Sequence, residues 1–232
     1  MHETRHQFRE ALRDLERQTL GGLELVITQL DRALEAVSCQ DVELAAMVVA
    51  DDDRIDGRYL EVHQGILSLL ARQAPVAGDL RVVAALLHII RSVERMGDQC
   101  VNVAKLVPLS GHEQPKDAAI LEALEQMGRL ARVQVLGARD AFGARSSELA
   151  HGLARQDEEI NRLNRSIFRR AVEIGDDAEL REWAMFMVLV ARCLERIGDN
   201  TVDIAEQTVF VITGLFRELS DASHPTENVS GR

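Results

Sequence analysis

Apolar residues recur at three- and four-residue steps through almost the whole chain of 232 residues. This spacing is typical of amphipathic α-helices, and it is interrupted only where Gly, Pro and Ser cluster. The pattern predicts six helices, which cover residues 5–37, 41–72, 79–107, 116–142, 146–174 and 177–217. Sustained two-residue alternation is missing, so we expect no sheet.

The order of these helices predicts the architecture. Helices of about 30 residues joined by short loops must pack antiparallel, because a short loop cannot carry the chain back along roughly 45 Å of helix. Residues 108–115 hold two of the four prolines and form the clearest linker. We therefore predict an all-α fold of two tandem three-helix bundles, in residues 1–110 and 115–217, with a flexible polar tail in residues 218–232.

Charge and hydropathy exclude several functional classes. The chain has 27 Lys and Arg against 38 Asp and Glu, a net charge of −11 that argues against nucleic-acid binding. The N-terminal residues lack the apolar region of a secretory signal, and the densest apolar stretches are about half as long as a bilayer requires. Three cysteines without Cys-x-x-Cys spacing suit a reducing compartment. We expect a cytoplasmic protein that does not insert into the membrane directly.

An internal repeat divides the chain. Residues 91–104 align with residues 192–205 at an offset of 101, with seven of fourteen positions identical. Apolar character is kept at most of the remaining core positions. Self-similarity of this kind indicates a duplicated structural unit, with one copy in each half.

Acidic residues lie inside the apolar stripe of this repeat. Helical spacing places Glu94 in the middle of the stripe and Asp98 one turn further on, and Glu195 and Asp199 repeat the arrangement. A buried carboxylate is costly unless it is paired with a cationic side chain or coordinates a cation. Two explanations are open at this point: a metal ion, or buried ion pairs between helices that involve Arg91, Arg95, Arg192 and Arg196.

The preceding helix of each half carries further acids. Asp52 and Asp56 are four residues apart and share one helix face, whereas the second half has Asp157 followed by Asn161. Two facing helices could then present four carboxylates at one level, a set of hard oxygen ligands that suits Mg, Ca, Mn or iron. The second site has one charge fewer, so we expect it to bind metal more weakly.

Two glycines inside helices and two aspartates at helix starts predict local features of the fold. Gly97 and Gly198 lie inside helices, where Gly costs about 1 kcal/mol relative to Ala. They favour either close helix packing or space for a metal cluster. Asp41 and Asp79 are both predicted to be N-caps.

The motifs Glu94-Arg-Met-Gly-Asp98 and Glu195-Arg-Ile-Gly-Asp199, with the loop Gln-Ala-Pro-Val-Ala-Gly-Asp-Leu-Arg at residues 73–81, resemble the PhoU family. The resemblance covers nearly all of the chain except the tail and implies two three-helix bundles. It also implies multinuclear clusters of iron or zinc, with manganese or magnesium as alternatives. The metal ligands that it implies are Asp52, Asp56, Glu94, Asp98, Asp157, Glu195 and Asp199.

The same resemblance implies a regulatory role. PhoU-like proteins are accessory regulators of bacterial phosphate uptake, so the chain is expected to couple the Pst transporter ATPase to a PhoR-type sensor kinase. It would repress phosphate uptake and the starvation response, as a non-enzymatic homodimer at the inner face of the membrane. The alternative is a carboxylate-bridged metalloenzyme. Di-iron bundles use Glu-x-x-His pairs, however, and Gly97 and Gly198 stand where those histidines would be.

Overall fold

The computed structural model describes residues 2–111 and 116–219, and all regular secondary structure in these residues is helical. The all-α fold predicted from the sequence is confirmed. Most of the predicted tail and half of the predicted linker lie outside the described residues. The helices are α1 (His2–Cys39), α2 (Val42–Ala50), α3 (Asp53–Arg72), α4 (Ala77–Leu106), α5 (Ala118–Ala144), α6 (Ser147–Glu173) and α7 (Ala178–Thr213), with a short 3-10 helix at Pro108–Ser110.

The helix predicted over residues 41–72 is interrupted, so its prediction as one element was wrong. The helix α2 ends where the backbone N–H of Asp51 donates to the carbonyl of Met47, and Asp52 then becomes the N-cap position of α3. Three successive aspartates have low helix propensity, and Arg32 of α1 holds the Asp51 carboxylate in an ion pair. The break places Asp52 at the start of α3.

Helix ends follow their capping residues, with two exceptions to the predictions. The Asp41 carboxylate accepts a hydrogen bond from the backbone N–H of Leu44, as expected of an N-cap. The prediction for Asp79 was wrong, because α4 begins two residues earlier and its N-cap position is Val76. The helix α7 stops at Thr213 rather than at residue 217, because Gly214 adopts a left-handed conformation with φ of 76°.

The two halves share one continuous apolar core. Helix α3 packs against α1 and α4, and α6 packs against α5 and α7. Between the halves, α1 contacts α5 and α4 contacts α7. The two copies of the repeated motif therefore lie on helices that pack against each other, and the acidic residues of α3 and α6 flank them.

None of the helices in residues 2–111 and 116–219 combines the length and the apolar content needed to cross a bilayer.

Candidate metal centres

The first centre is formed by α3 and α4. Asp52 packs directly on the α4 backbone: its Oδ1 lies 3.2 Å from the position that a Cβ on Gly97 would occupy. Glu94 is largely buried, with 17% of its side chain exposed. Asp56 and Asp98 are exposed at the rim. The structure thus brings the four predicted carboxylates of the first half to one level of the helix pair, and we call this set the first centre.

Glu94 is only partly compensated. Its Oε1 accepts a hydrogen bond from Arg91 Nη1 at 3.0 Å, while its buried Oε2 has no hydrogen-bond partner in the described residues. Burial raises the pKa of Glu94, and repulsion from Asp98 and Asp56 adds to the rise against the opposing effect of Arg91. The ion pair lies within α4 and not between helices. Arginine pairing therefore exists at this centre but leaves one carboxylate oxygen unsatisfied.

Asp52 has a partner that the motifs did not reveal. Gln29 of α1 is 5% exposed, and its Nε2 donates to Asp52 Oδ1 at 3.1 Å. Burial still raises the pKa of Asp52, with further contributions from Asp56 and Asp98. A glutamine also stands 105 residues later, at Gln134, where it is buried in the second half. This repeated polar residue within an apolar stripe is the signal that could have identified the pair.

The second centre comprises Asp157 of α6 with Glu195 and Asp199 of α7. Asp157 is 5% exposed, and burial together with repulsion from Asp199 raises its pKa to about 6. Its Oδ2 accepts a hydrogen bond from Asn161 Nδ2 at 2.7 Å, and its Oδ1 has no partner among the described residues. Asn161 thus acts as a neutral donor at the position where the first centre has Asp56.

Glu195 reproduces the surroundings of Glu94. It is 9% exposed, and burial followed by repulsion from Asp199 raises its pKa. Arg192, three residues earlier on α7, forms an ion pair with it. The same pairing of a buried glutamate with an arginine one turn away therefore occurs in both halves.

The two glycines serve the centres and the packing together. A Cβ on Gly97 would lie 3.0 Å from Ile55 Cδ1 as well as close to Asp52. A Cβ on Gly198 would overlap Asp157 Oδ1 and lie 3.1 Å from Gln134 Oε1. The sequence allowed two explanations for these glycines, close helix packing or space for a metal cluster. In the structure the missing side chain is what lets the aspartate of the facing helix reach the backbone.

Unsatisfied polar atoms concentrate at the two centres. Six buried side-chain N or O atoms in residues 2–111 and 116–219 lack a hydrogen-bond partner, and four of them belong to Gln29, Glu94, Gln134 and Asp157. Buried polar groups are normally paired, so an ion or a water is expected beside these atoms. Oxygen donors with raised pKa values fit a cation, whose charge would offset their repulsion.

The present side-chain arrangement is not itself a coordination sphere. Within the described parts of the chain, no group of three or more His, Cys, Asp or Glu side chains is arranged as a metal site. The carboxylates share one level on facing helices, but their oxygens do not converge on a point. Coordination by several of them at once would require side-chain rotation.

Gly198→Ala should destabilise the protein by about 1–2 kcal/mol, because the new methyl group displaces the Asp157 carboxylate and overpacking outweighs the gain in helix propensity. Urea unfolding at pH 7 measures the difference. Gly152→Ala is the matched control, since a Cβ there meets nothing within 4 Å and should stabilise α6 by up to about 1 kcal/mol. Equal effects of the two substitutions would contradict the close approach at Gly198.

The fold and the two centres define a duplicated α-helical protein with one carboxylate-lined centre in each half. The sequence model of the PhoU domain matches residues 22–107 and 124–208. The chain therefore belongs to the PhoU family.

Known relatives match over most of their length. The chain is 29% identical over 221 residues to a phosphate-specific transport system accessory protein PhoU homolog of Clostridium acetobutylicum, covering 94% of this chain and all of that protein. It is 32% identical over 209 residues to the homolog of Zymomonas mobilis, covering 84% and 85% of the two chains. The crystal structure of the phosphate transport system regulatory protein PhoU from Streptococcus pneumoniae superposes with a TM-score of 0.83 at 28% identity, covering 90% and 99%.

Proposed function

We propose that the chain is a regulatory adaptor of phosphate uptake that binds metal ions at its two carboxylate centres. The observation that carries the proposal is the duplication itself. Each PhoU domain contains one centre, and in each centre a buried or half-buried aspartate lies against the glycine of the neighbouring helix that carries a buried or half-buried glutamate. The names of the relatives, which refer to phosphate-specific transport, support the phosphate connection.

The proposed partners are the Pst transporter ATPase and a PhoR-type sensor kinase. In this role the protein acts without catalysis, in the cytoplasm and at the inner face of the membrane, and represses uptake and the starvation response when phosphate is plentiful. Homodimer formation belongs to the same proposal. The support is family membership over both halves and the names of the relatives, which refer to phosphate transport and its regulation.

Each carboxylate of the two centres is a proposed metal ligand. Asp52, Asp56, Glu94 and Asp98 would hold ions at the first centre. At the second centre the same role falls to Asp157, Glu195 and Asp199. Iron or zinc is proposed first, and manganese or magnesium second. A bound ion supplies positive charge at the partly buried, mutually repelling oxygens, which keeps them ionised at neutral pH. Gln29 positions Asp52 and Asn161 positions Asp157 through their hydrogen bonds.

The test combines metal content with regulation. Elemental mass spectrometry and native mass are measured on protein purified without chelators, for the wild type, Glu94→Ala/Asp98→Ala and Glu195→Ala/Asp199→Ala. Each double variant should lose the ions of its own centre and keep the others. The same variants, placed in a strain that lacks its own copy, should leave a phosphate-starvation reporter switched on at high phosphate.

The control is Glu10→Ala/Asp14→Ala, which removes an exposed acidic pair of the same spacing on α1. It should match the wild type in both measurements. Unchanged metal content in both centre variants would contradict the assignment of the metal ligands. A reporter that stays repressed in the strain without the wild-type protein would contradict the regulatory role.

A further inference from the structure

A shallow groove of about 540 Å³ lies between α6 and α7 at the surface of the second half. Its apolar lining includes Phe168, Val188 and Leu189, of which Phe168 is 54% and Leu189 50% exposed. Val172 and Met185, also exposed, extend the apolar surface along the same two helices. Large apolar side chains grouped at a surface in this way mark an interaction site more often than chance exposure does.

All charged residues that line this groove are basic, and Asn164 is its one neutral polar residue. Arg165, Arg169 and Arg192 line it, and no acidic side chain of the described residues does so. Within the same part of the chain, neither Arg165 nor Arg169 forms an ion pair. This local positive charge stands out on a chain with a net charge of −11. The groove is therefore complementary to an acidic ligand that also has an apolar face.

The repeat shows that the groove is not a consequence of the fold. Asp157 and Ile160 lie against Gly198 as Asp52 and Ile55 lie against Gly97, so α6 corresponds to α3 at an offset of 105 residues. The first half has other residues at the groove positions. Leu60, His63 and Gln64 replace Arg165, Phe168 and Arg169, and His88 replaces Leu189.

We infer that this groove between α6 and α7 is a docking surface for an acidic amphipathic helix of a partner protein. The inference rests on the proposed function, since an adaptor acts by binding partners. The groove residues 164–169, together with Val172 beyond them, extend over about 12 Å of α6, which matches two turns of a docked helix. Apolar residues on one face of that helix pack on Phe168 and Leu189, and its Asp or Glu side chains pair with the arginines.

Arg192 connects this groove to the second centre. It lines the groove and also forms the ion pair with Glu195. A partner carboxylate that takes over Arg192 leaves Glu195 free to bind a cation. A cation that holds Glu195 in turn leaves Arg192 free for the partner. Partner binding and cation binding at the second centre are then positively coupled, and the coupling is reciprocal.

The probe is a fluorescein-labelled helical peptide of about 18 residues, with Leu at every third or fourth position and Glu at the others, a length of about 27 Å. Its binding to the full chain is followed by fluorescence anisotropy. We expect binding to the wild type, and weakening of at least about tenfold in Arg165→Glu/Arg169→Glu and in Leu189→Glu. All three positions are exposed, so the variants should fold, which circular dichroism checks.

Two controls separate the groove from general charge. Arg9→Glu/Arg13→Glu makes the same change of charge on exposed positions of α1 and should leave the affinity unchanged. A peptide with Lys in place of Glu should not bind. Equal affinity of the wild type and Arg165→Glu/Arg169→Glu, or equal binding of the Lys peptide, overturns the inference.

Other occupants would also give a clear result. Binding to vesicles of phosphatidylglycerol and phosphatidylcholine that requires Arg165 and Arg169, without peptide binding, replaces the partner helix by a lipid surface. A dimer in native mass spectra that only Arg165→Glu/Arg169→Glu dissociates replaces it by a second copy. Either outcome overturns the inference. Peptide binding is measured separately from the metal content and from the phosphate reporter, so its failure is distinguishable from failure of the proposed function.

The coupling has its own readout. Added MnCl₂ should tighten peptide binding to the wild type by about fivefold, a typical coupling between two sites, and should have no effect on Glu195→Gln. An unchanged affinity of the wild type with MnCl₂ shows that the link through Arg192 is wrong.

Discussion

Asp157→Asn should stabilise the metal-free protein at pH 7 by about 2–3 kcal/mol. The carboxylate is 5% exposed, and its pKa is raised to about 6, first by burial and then by repulsion from Asp199. At pH 7 it is ionised at a cost that a neutral amide does not have, and each unit of pKa shift corresponds to about 1.4 kcal/mol. The amide keeps an oxygen that can accept the hydrogen bond from Asn161. Urea unfolding in the presence of a chelator measures the difference.

The sign of the pH dependence follows from the raised pKa. The native protein binds the Asp157 proton up to about pH 6, whereas the unfolded chain releases it near the ordinary value of 3.8. Protonation of Asp157 therefore favours the native state fully below about pH 4, and this contribution is lost as the pH rises to 6. The advantage of Asp157→Asn should be small at pH 4, grow between pH 4 and 6, and stay constant above pH 7.

Glu158→Gln is the matched control, because Glu158 is exposed beside Asp157 and its substitution should change stability by less than about 0.5 kcal/mol. On the proposal that the second centre binds a cation, added metal should make the wild type the more stable protein, because the ion stabilises it by mass action whereas Asp157→Asn lacks a ligand. Destabilisation of metal-free Asp157→Asn at pH 7 would show that its ionised carboxylate is not a source of repulsion.

Asp117→Asn should destabilise the protein by about 2 kcal/mol, the opposite sign for the same chemical change. The Asp117 carboxylate caps α5 by accepting from the backbone N–H groups of Ala119 and Ile120. Arg170 of α6 also donates to its Oδ2 through Nε at 3.0 Å and Nη2 at 2.7 Å. Asn can still cap the helix, but the neutral oxygen is a weaker acceptor for the guanidinium. Urea unfolding at pH 7 measures the loss.

The lowered pKa of Asp117 sets the sign of its contribution to the pH dependence of stability. The hydrogen bonds from Arg170 lower the pKa of Asp117 below its ordinary value. Ionised Asp117 therefore stabilises the fold above about pH 4, and this contribution is lost only as the pH falls through the lowered pKa. Asp177→Asn is the control, since Asp177 caps α7 through Leu180 and no arginine in the described part of the chain pairs with it. It should change stability by a few tenths of a kcal/mol. An equal loss in both variants would exclude the Arg170 contact as the cause.

The helix positions were largely predictable because the signals are local. Periodicity is present in any stretch of about ten residues, and the N-cap at Asp41 depends on the chain within three residues of it. The break at residues 51–52 was not predictable in this way. The three successive aspartates do not interrupt the apolar spacing, and Arg32 of α1 reaches the Asp51 carboxylate from another helix. The end of α7 depends on one glycine conformation that periodicity does not report.

The carboxylates of the two centres could be predicted from the sequence, but their hydrogen-bond and ion-pair partners could not. Glu94 and Glu195 are identified by their place in an apolar stripe, and both are buried or nearly so. Helical spacing does not show that Gln29 donates to Asp52, because that contact joins residues 23 positions apart. It also does not show that Arg91 and Arg192 each pair with a glutamate of their own helix. Such pairing depends on side-chain rotamers and on what the facing helix leaves exposed.

By itself, the sequence determined that this chain is all-helical and duplicated, and that acidic residues stand where apolar ones should, because these properties depend on spacing along one helix. Only the tertiary structure decided which carboxylate oxygens remain unpaired and that Gly198 lets Asp157 approach the backbone. It alone placed Phe168 and Leu189 beside Arg165 and Arg169, which form no ion pair within residues 2–111 and 116–219. These facts depend on distances between helices, which are set when all of the helices pack together.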